Sequence, residues 1–384
     1  MSVYLDHAAT TPIDPGVRQA MRPYLEEDFG NPSSLHGHGR AARAAVEAAR
    51  EQVAAALGVA PLEVLFTSGG TEADNQAVKG IAWGARDAAR GAHLVTTAVE
   101  HHAVLESVEW LVDHEGFSAT VVAVGADGVV DPDRLLAAVR DDTVLVSVMA
   151  ANNELGTIQP LEAIGPALVE RGVPLHTDAV QAFGRAPLDL DGWGVGALAL
   201  SAHKFNGPKG VGVLVLRRDL AAEPVLHGGG QERGVRSGTL NTPGIVGCGA
   251  AAALTASTMD EEIPRLRALR DRLLDGLLAV GDVALNGSAE RRLPHNAHVA
   301  VNGCDGEALL VALDAAGVAA STGSACQSGA AEPSHVLTAI GADPDVAHLR
   351  LTCGRTTTEA DVDTAVSTFT DAVKRLRDAG GGYL

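Results

Sequence analysis

Gly196-Ala197-Leu198-Ala199-Leu200-Ser201-Ala202-His203-Lys204 reads as a short apolar strand that stops abruptly at polar side chains. The chain holds only four lysines, Lys79, Lys204, Lys209 and Lys374, so one at the end of a buried strand is not surface decoration. Upstream, Val173-Pro174-Leu175-His176-Thr177-Asp178-Ala179-Val180-Gln181 is a second apolar strand that ends in an acid. An amine and a carboxylate at the carboxyl ends of two strands suit pyridoxal phosphate. The lysine would hold the aldehyde and the acid would pair with the ring nitrogen.

Working outward, strand-like and helix-like segments alternate from about residue 60 to 216. Val64–Thr67, His93–Thr97, Ala119–Ala123, Thr143–Ser147, Val173–His176, Ala197–Leu200 and Val211–Leu216 are the expected strands. Such alternation predicts an α/β fold with a mostly parallel sheet and helices on both faces. Ligands of such sheets bind beyond the carboxyl ends of the strands. Leu35–Leu57 reads as an Ala/Arg-rich helix, and Thr242–Ser257 and Met259–Val280 as two further helices. The pattern then changes to a smaller α+β unit closed by a helix over Thr358–Arg377. The expected division is a large unit over 15–254 and a small one formed by 1–14 and 255–384.

The 384 residues are 46% hydrophobic and 3% aromatic, so the core is built from Leu, Val, Ile and Ala. A net charge of -19 argues against direct nucleic-acid binding. No apolar run approaches the roughly 18 residues of a membrane span. The start lacks a basic, apolar leader, which suggests a cytoplasmic protein. The cysteines are Cys248, Cys304, Cys326 and Cys353, spaced for neither a zinc site nor a disulfide framework, and no metal is expected.

Ser68-Gly69-Gly70-Thr71 follows a strand and opens a helix, a ready anion cup, although an ordinary Thr71/Glu72 helix cap would look the same. Glu100-His101-His102 ends another strand, where an imidazole could lie over a pyridine ring and relay protons. Asn152-Asn153-Glu154 is a turn on the same edge. Thr322 to Ala331 is a loop of small residues, so Cys326 is expected to be exposed and mobile, able to act as a thiolate nucleophile. Cys248 reads as a packing residue and Cys304 as a turn residue. Gly247-x-Gly249-x-x-Ala252 matches a dinucleotide fingerprint only loosely. His227 to Thr239 is a Gly-rich basic loop that could be a plain connector, though its Arg and Thr donors could also reach a phosphate.

Together these motifs resemble the cysteine desulfurases of the NifS/IscS type, in the class V aminotransferase family. The resemblance spans nearly the whole chain, from Tyr4-Leu-Asp-His-Ala-Ala-Thr-Thr-Pro12 and Gly30-Asn-Pro-Ser-Ser34 to Gly323-Ser-Ala-Cys326. It implies the fold of the pyridoxal phosphate enzymes of fold type I. It also implies a homodimer that converts L-cysteine to alanine and passes sulfur to a protein acceptor, an iron–sulfur scaffold or a tRNA-thiolating enzyme. By resemblance, Lys204 binds the cofactor and moves the substrate α-proton, Asp178 holds the ring nitrogen, and Gln181 holds the ring hydroxyl. His101 stacks on the ring. Gly70, Thr71, Ser201 and His203 hold the phosphate, joined by Thr239 of the partner subunit. Asn153 and Arg350 hold the substrate carboxylate, and Cys326 takes the sulfur as a persulfide. Cys353 departs from the pattern, standing where relatives carry a small hydroxyl residue. A selenocysteine lyase or another class V enzyme would use the same lysine and acid. A non-catalytic protein on this fold would not need the lysine.

Overall fold

The computed structural model describes residues 2–323 and 334–380. In chain order the described elements begin with β1 (Val3–Tyr4), α1 (Pro15–Glu26), α2 (Gly37–Leu57), β2 (Val64–Thr67), α3 (Gly70–Asp87), β3 (His93–Thr97) and α4 (His102–Glu115). There follow β4 (Ser118–Val122), α5 (Pro132–Ala137), β5 (Thr143–Ser147), α6 (Leu161–Glu170), β6 (Leu175–Asp178), β7 (Val195–Ser201) and β8 (Gly212–Leu216). The rest are α7 (Thr242–Leu278), β9 (Val283–Leu285), β10 (Asn296–Val301), α8 (Gly306–Ala315), β11 (Val318–Ala319), α9 (His335–Ala339), β12 (Ala347–Thr352) and α10 (Glu359–Gly380).

Seven strands form one sheet in the order β2-β8-β7-β6-β5-β3-β4. Only β8 runs against its neighbours, pairing antiparallel with both β2 and β7. Side chains alternate faces along each strand, and both faces are apolar. Val64 and Phe66 join one core with Leu198 and Leu200, while Leu65 joins a second core with Ala197 and Ala199. The run of apolar residues in each strand is therefore the signature of a sheet covered by helices on both sides. Because β2 runs in the same direction as β5, β6 and β7, all four carboxyl ends lie along one edge.

One sequence expectation fails here. The two helices expected over Thr242–Ser257 and Met259–Val280 are a single helix, α7. The switch from Ala/Gly to charged residues marks a change of surroundings and not a backbone break. Pro264 sits inside this helix but on an exposed stretch, where water can take the carbonyl it frees. The expected unit boundary near residue 255 falls within α7. Beyond it, Leu266, Leu273 and Leu277 of α7 pack with Val299 of β10, Leu349 of β12, Phe369 of α10 and the N-terminal Val3 and Leu5 in a separate apolar cluster. The chain start reaches that cluster because β1 pairs in parallel with β11 and Asp6 bridges to Thr352.

Candidate active site

The carboxyl ends on the shared sheet edge deliver their polar groups to a cavity of about 330 Å³. From the β2–α3 turn come Gly70 and Thr71, from the β3–α4 turn His101, and from beyond β5 Asn153. Asp178 and Gln181 come from the end of β6, Ser201 from β7, and His203 and Lys204 from the 3-10 turn after it. Arg350 of β12 and Gly323 close the far side. Residues that the sequence spreads over 281 positions, from Gly70 to Arg350, thus meet around one space.

The N-terminal segment forms the remaining wall. Lys204 Nζ donates to the carbonyls of Ala8 at 2.6 Å and Ala9 at 2.9 Å. Gln181 Nε2 donates to Ala8 at 2.9 Å, and the Thr11 hydroxyl donates to the His203 carbonyl at 2.8 Å. Asp178 accepts from the Val180 N–H at 2.8 Å. Burial pushes its carboxyl above the usual range, while that hydrogen bond and Lys204 pull it back.

His101 caps α4, its Nδ1 accepting from the Ala103 N–H at 3.1 Å. Burial, then the neighbouring Lys204, lowers its pKa to about 4, so the ring is neutral at physiological pH with its proton on Nε2. Glu100 beside it is fully buried, accepts from Thr97 Oγ1 and the Met149 N–H, and is pushed up to about 8 by burial. The Arg350 guanidinium is held by Asp6 at 2.8 Å and by the Asn153 carbonyl at 2.8 Å, while its buried Nε has no hydrogen-bond partner among the described residues.

The residues fit pyridoxal phosphate. Gln181 Oε1 is a buried acceptor without a partner among the described residues, beside a buried carboxylate and an amine in the same space. A Cβ on Gly70 would stand 3.0 Å from Val180 Cγ2 and 3.4 Å from Ser201 Cβ, so glycine keeps that wall open. The first N–H groups of α3 suit an anion there.

The basic loop from His227 to Thr239 does not bring its arginines to this cavity. Arg236 is bound to Glu72 at 2.6 Å, and Glu232 is buried in a bidentate pair with Arg50 at 2.8 Å, which ties the loop to α2. Thr239 does not line the cavity of its own chain. Cys326 lies outside the described residues. Cys248 and Cys353 are buried within apolar clusters, and Cys304 is half-buried.

Sequence reading missed Asp74 and the Ala8–Ala9 carbonyls as parts of this wall, and Asp6 as the support of Arg350. Asp74 was visible as one helical turn beyond Thr71, on the face that Gly70 presents. The N-terminal carbonyls carry no side-chain signal, so only the fold reveals them.

A family profile described as Aminotransferase class-V matches residues 3–365. The chain is 52% identical over 383 residues to the IscS-like cysteine desulfurase of Mycobacterium tuberculosis, covering 98% of this chain and 97% of that one. It is 48% identical over 379 residues to the cysteine desulfurase IscS of Methanosarcina thermophila, covering 98% and 93%. Among solved structures it is similar to a NifS-like protein with a TM-score of 0.91 at 37% identity, covering 98% of this chain and all of the other. A NifS-like protein from Rickettsia africae gives 0.87 at 30% identity, covering 97% of this chain and all of the other.

Proposed function

We propose, for a chain that belongs to the class-V aminotransferase family and is a pyridoxal phosphate-dependent cysteine desulfurase, that its chemistry runs on Lys204, His101 and Cys326. The observation that carries this reading is the convergence of Lys204, Asp178 and a neutral His101 on one cavity. When bound, the cofactor supplies an electron sink that makes the substrate α-proton removable.

Lys204 holds the cofactor aldehyde and then serves as the base at the substrate α-carbon, its reach set by the Ala8 and Ala9 carbonyls. Asp178 would hold the ring nitrogen, Gln181 the ring hydroxyl, and the neutral His101 ring would pack against the cofactor ring. Gly70, Thr71, Ser201 and His203 hold the phosphate. Arg350 and Asn153 receive the substrate carboxylate, where the unpartnered Arg350 Nε offers a free donor. The Cys326 thiolate attacks the substrate sulfur. The S–S bond forms as the Cβ–S bond breaks, its electron pair stays on carbon, and a proton added there completes alanine. Cys326 is left as a persulfide for a protein acceptor, an iron–sulfur scaffold or a tRNA-thiolating enzyme.

Further parts of the reading are a homodimer in which Thr239 of the partner subunit reaches the cofactor phosphate, and a cytoplasmic location. Exposed Phe29 and Leu35 support a self-contact. No helix among the described residues is long and apolar enough to cross a membrane. The division into 15–254 and 1–14 with 255–384 is supported by the separate apolar cluster of the C-terminal part.

Cys326→Ser tests the scheme. The variant should keep the visible absorbance of the cofactor and fail to gain the mass of one sulfur atom when given L-cysteine. Undiminished sulfide release by this variant would instead favour a lyase that needs no cysteine nucleophile.

A further inference from the structure

Behind Asp178 stands a second acid to which the scheme above gives no part. Asp74, one turn into α3, lines the cavity and is otherwise buried. One oxygen each of Asp74 and Asp178 and a ring nitrogen of His101 lie within 4.8 Å of one another. Two carboxylates so close in a dry site do not both ionise near neutral pH; they share one proton. Which acid holds it is decided by what lies on the far side of Asp74.

That side is occupied by His176, two residues before Asp178 on β6. Its Nε2 is 3.5 Å from Asp74 Oδ1, and among the described residues neither of these buried atoms has a hydrogen-bond partner. Its Nδ1 meets Ser147 Oγ of β5 at 2.8 Å. Burial lowers the His176 pKa to about 3, so the ring is neutral and carries one proton. The arrangement consistent with a protonated Asp74 places that proton on Nδ1, donated to Ser147 Oγ, and leaves Nε2 as an acceptor facing Asp74 Oδ1. The other charges around Asp74 are uneven. Asp178 has the Val180 N–H and Lys204 to stabilise an anion, whereas Asp74 faces Asp178 and Glu100, and burial with these two acids drives its pKa well up.

Building on the proposed place of Asp178 beside the ring nitrogen, we propose that Asp74 keeps the single proton of the pair, so that Asp178 alone presents negative charge to the cofactor. Asp74 is then a positioning residue, fixed by the chain from Ser147 through His176. The arrangement keeps a neutral polar group, in place of a second anion or an apolar wall, against the carboxylate that must stay charged.

Infrared spectroscopy of the cofactor-free protein tests the protonation directly. The wild type at neutral pH should show the carbonyl stretch of a buried protonated carboxylic acid, and part of that signal should vanish in Asp74→Asn. A wild type without any such band, or a difference spectrum containing only carboxylate, overturns the proposal. In the loaded protein, Asp74→Asn, a neutral group of the same shape, should leave the pH midpoint of the visible cofactor band nearly where it was. A move of about one unit or more would mean that Asp74 is an anion. Asp74→Leu should raise the cofactor dissociation constant about tenfold, with Asp74→Asn restoring it; equal binding by both variants and wild type would also overturn the proposal. The cofactor assignment fails separately, if Asp178→Ala binds the cofactor as well as wild type.

Discussion

Lys204 Nζ lies 2.6 Å from the carbonyl of Ala8, a residue 196 positions away in sequence. The segment that begins the chain therefore aims the amine that ends β7. With its charge held by two backbone carbonyls, the lysine is kept in the cavity and not in bulk water. Lys204→Ala should lose the visible band. Borohydride reduction followed by peptide mass analysis should add cofactor mass to the Lys204 peptide of the wild type and to no peptide of the variant.

Gly212 opens β8 directly under the anion cup. A Cβ there would stand 2.4 Å from the Gly69 carbonyl carbon and 2.5 Å from its oxygen, both backbone atoms that cannot rotate away. Gly212→Ala should cost about 1–3 kcal/mol of stability and displace the Gly69–Gly70 turn. Denaturant unfolding with a cofactor titration checks both effects, and wild-type values in each would show that the cup tolerates the methyl.

Arg350 is clamped by Asp6 and the Asn153 carbonyl, which fixes a planar fork toward the cavity. Lysine cannot reproduce that fork. Arg350→Lys should raise KM for L-cysteine by about tenfold, as one charge-assisted hydrogen bond is lost, with a smaller change in kcat. Steady-state kinetics decide it; an unchanged KM would remove Arg350 from substrate binding.

Thiol reactivity should separate the four cysteines. Burial pushes the Cys248 and Cys353 thiols up to about 12, and it also raises Cys304. At neutral pH, iodoacetamide should label Cys326 first and reach Cys248 and Cys353 only after unfolding. Peptide mapping over time is the check, and early labelling of Cys353 would contradict its burial.

Buried imidazoles set the acid limit of stability. Burial lowers His7, His101 and His203 to about 4 and His176 and His298 to about 3. Between these values and the ordinary imidazole value near 6.5 the unfolded chain binds the extra protons, so stability falls as pH falls. The raised carboxyls of Glu100, Asp178 and Asp74 act oppositely, holding protons in the folded state, but they are fewer. Each uncompensated proton costs about 1.4 kcal/mol per pH unit. Calorimetry of the cofactor-free protein should show the unfolding midpoint dropping from about pH 6.5 to 4.5; a flat profile would contradict it.

The strands were legible because each is a short apolar run ending in polar residues, and the ends of β6 and β7 named Asp178 and Lys204 directly. Strand order was not legible, since β2, β3, β5, β6 and β8 are buried along their whole length and no strand's pattern marks a unique partner. The continuity of α7 was hidden by a change in composition that follows its surroundings and leaves the backbone unbroken. The part played by the basic loop from His227 to Thr239 stayed open, because sequence does not show that Glu72, far away in the chain, binds Arg236.

Local chemistry by itself determined most of the elements, the positions of Lys204 and Asp178 at strand ends and the family to which the motifs belong, because these depend on residue type and close spacing. Only the tertiary structure decided that the N-terminal carbonyls hold Lys204, that Asp6 clamps Arg350 and that Asp74 backs Asp178. Those relationships join residues far apart in the chain, and their energies exist only once the sheet has brought them together and shut out water.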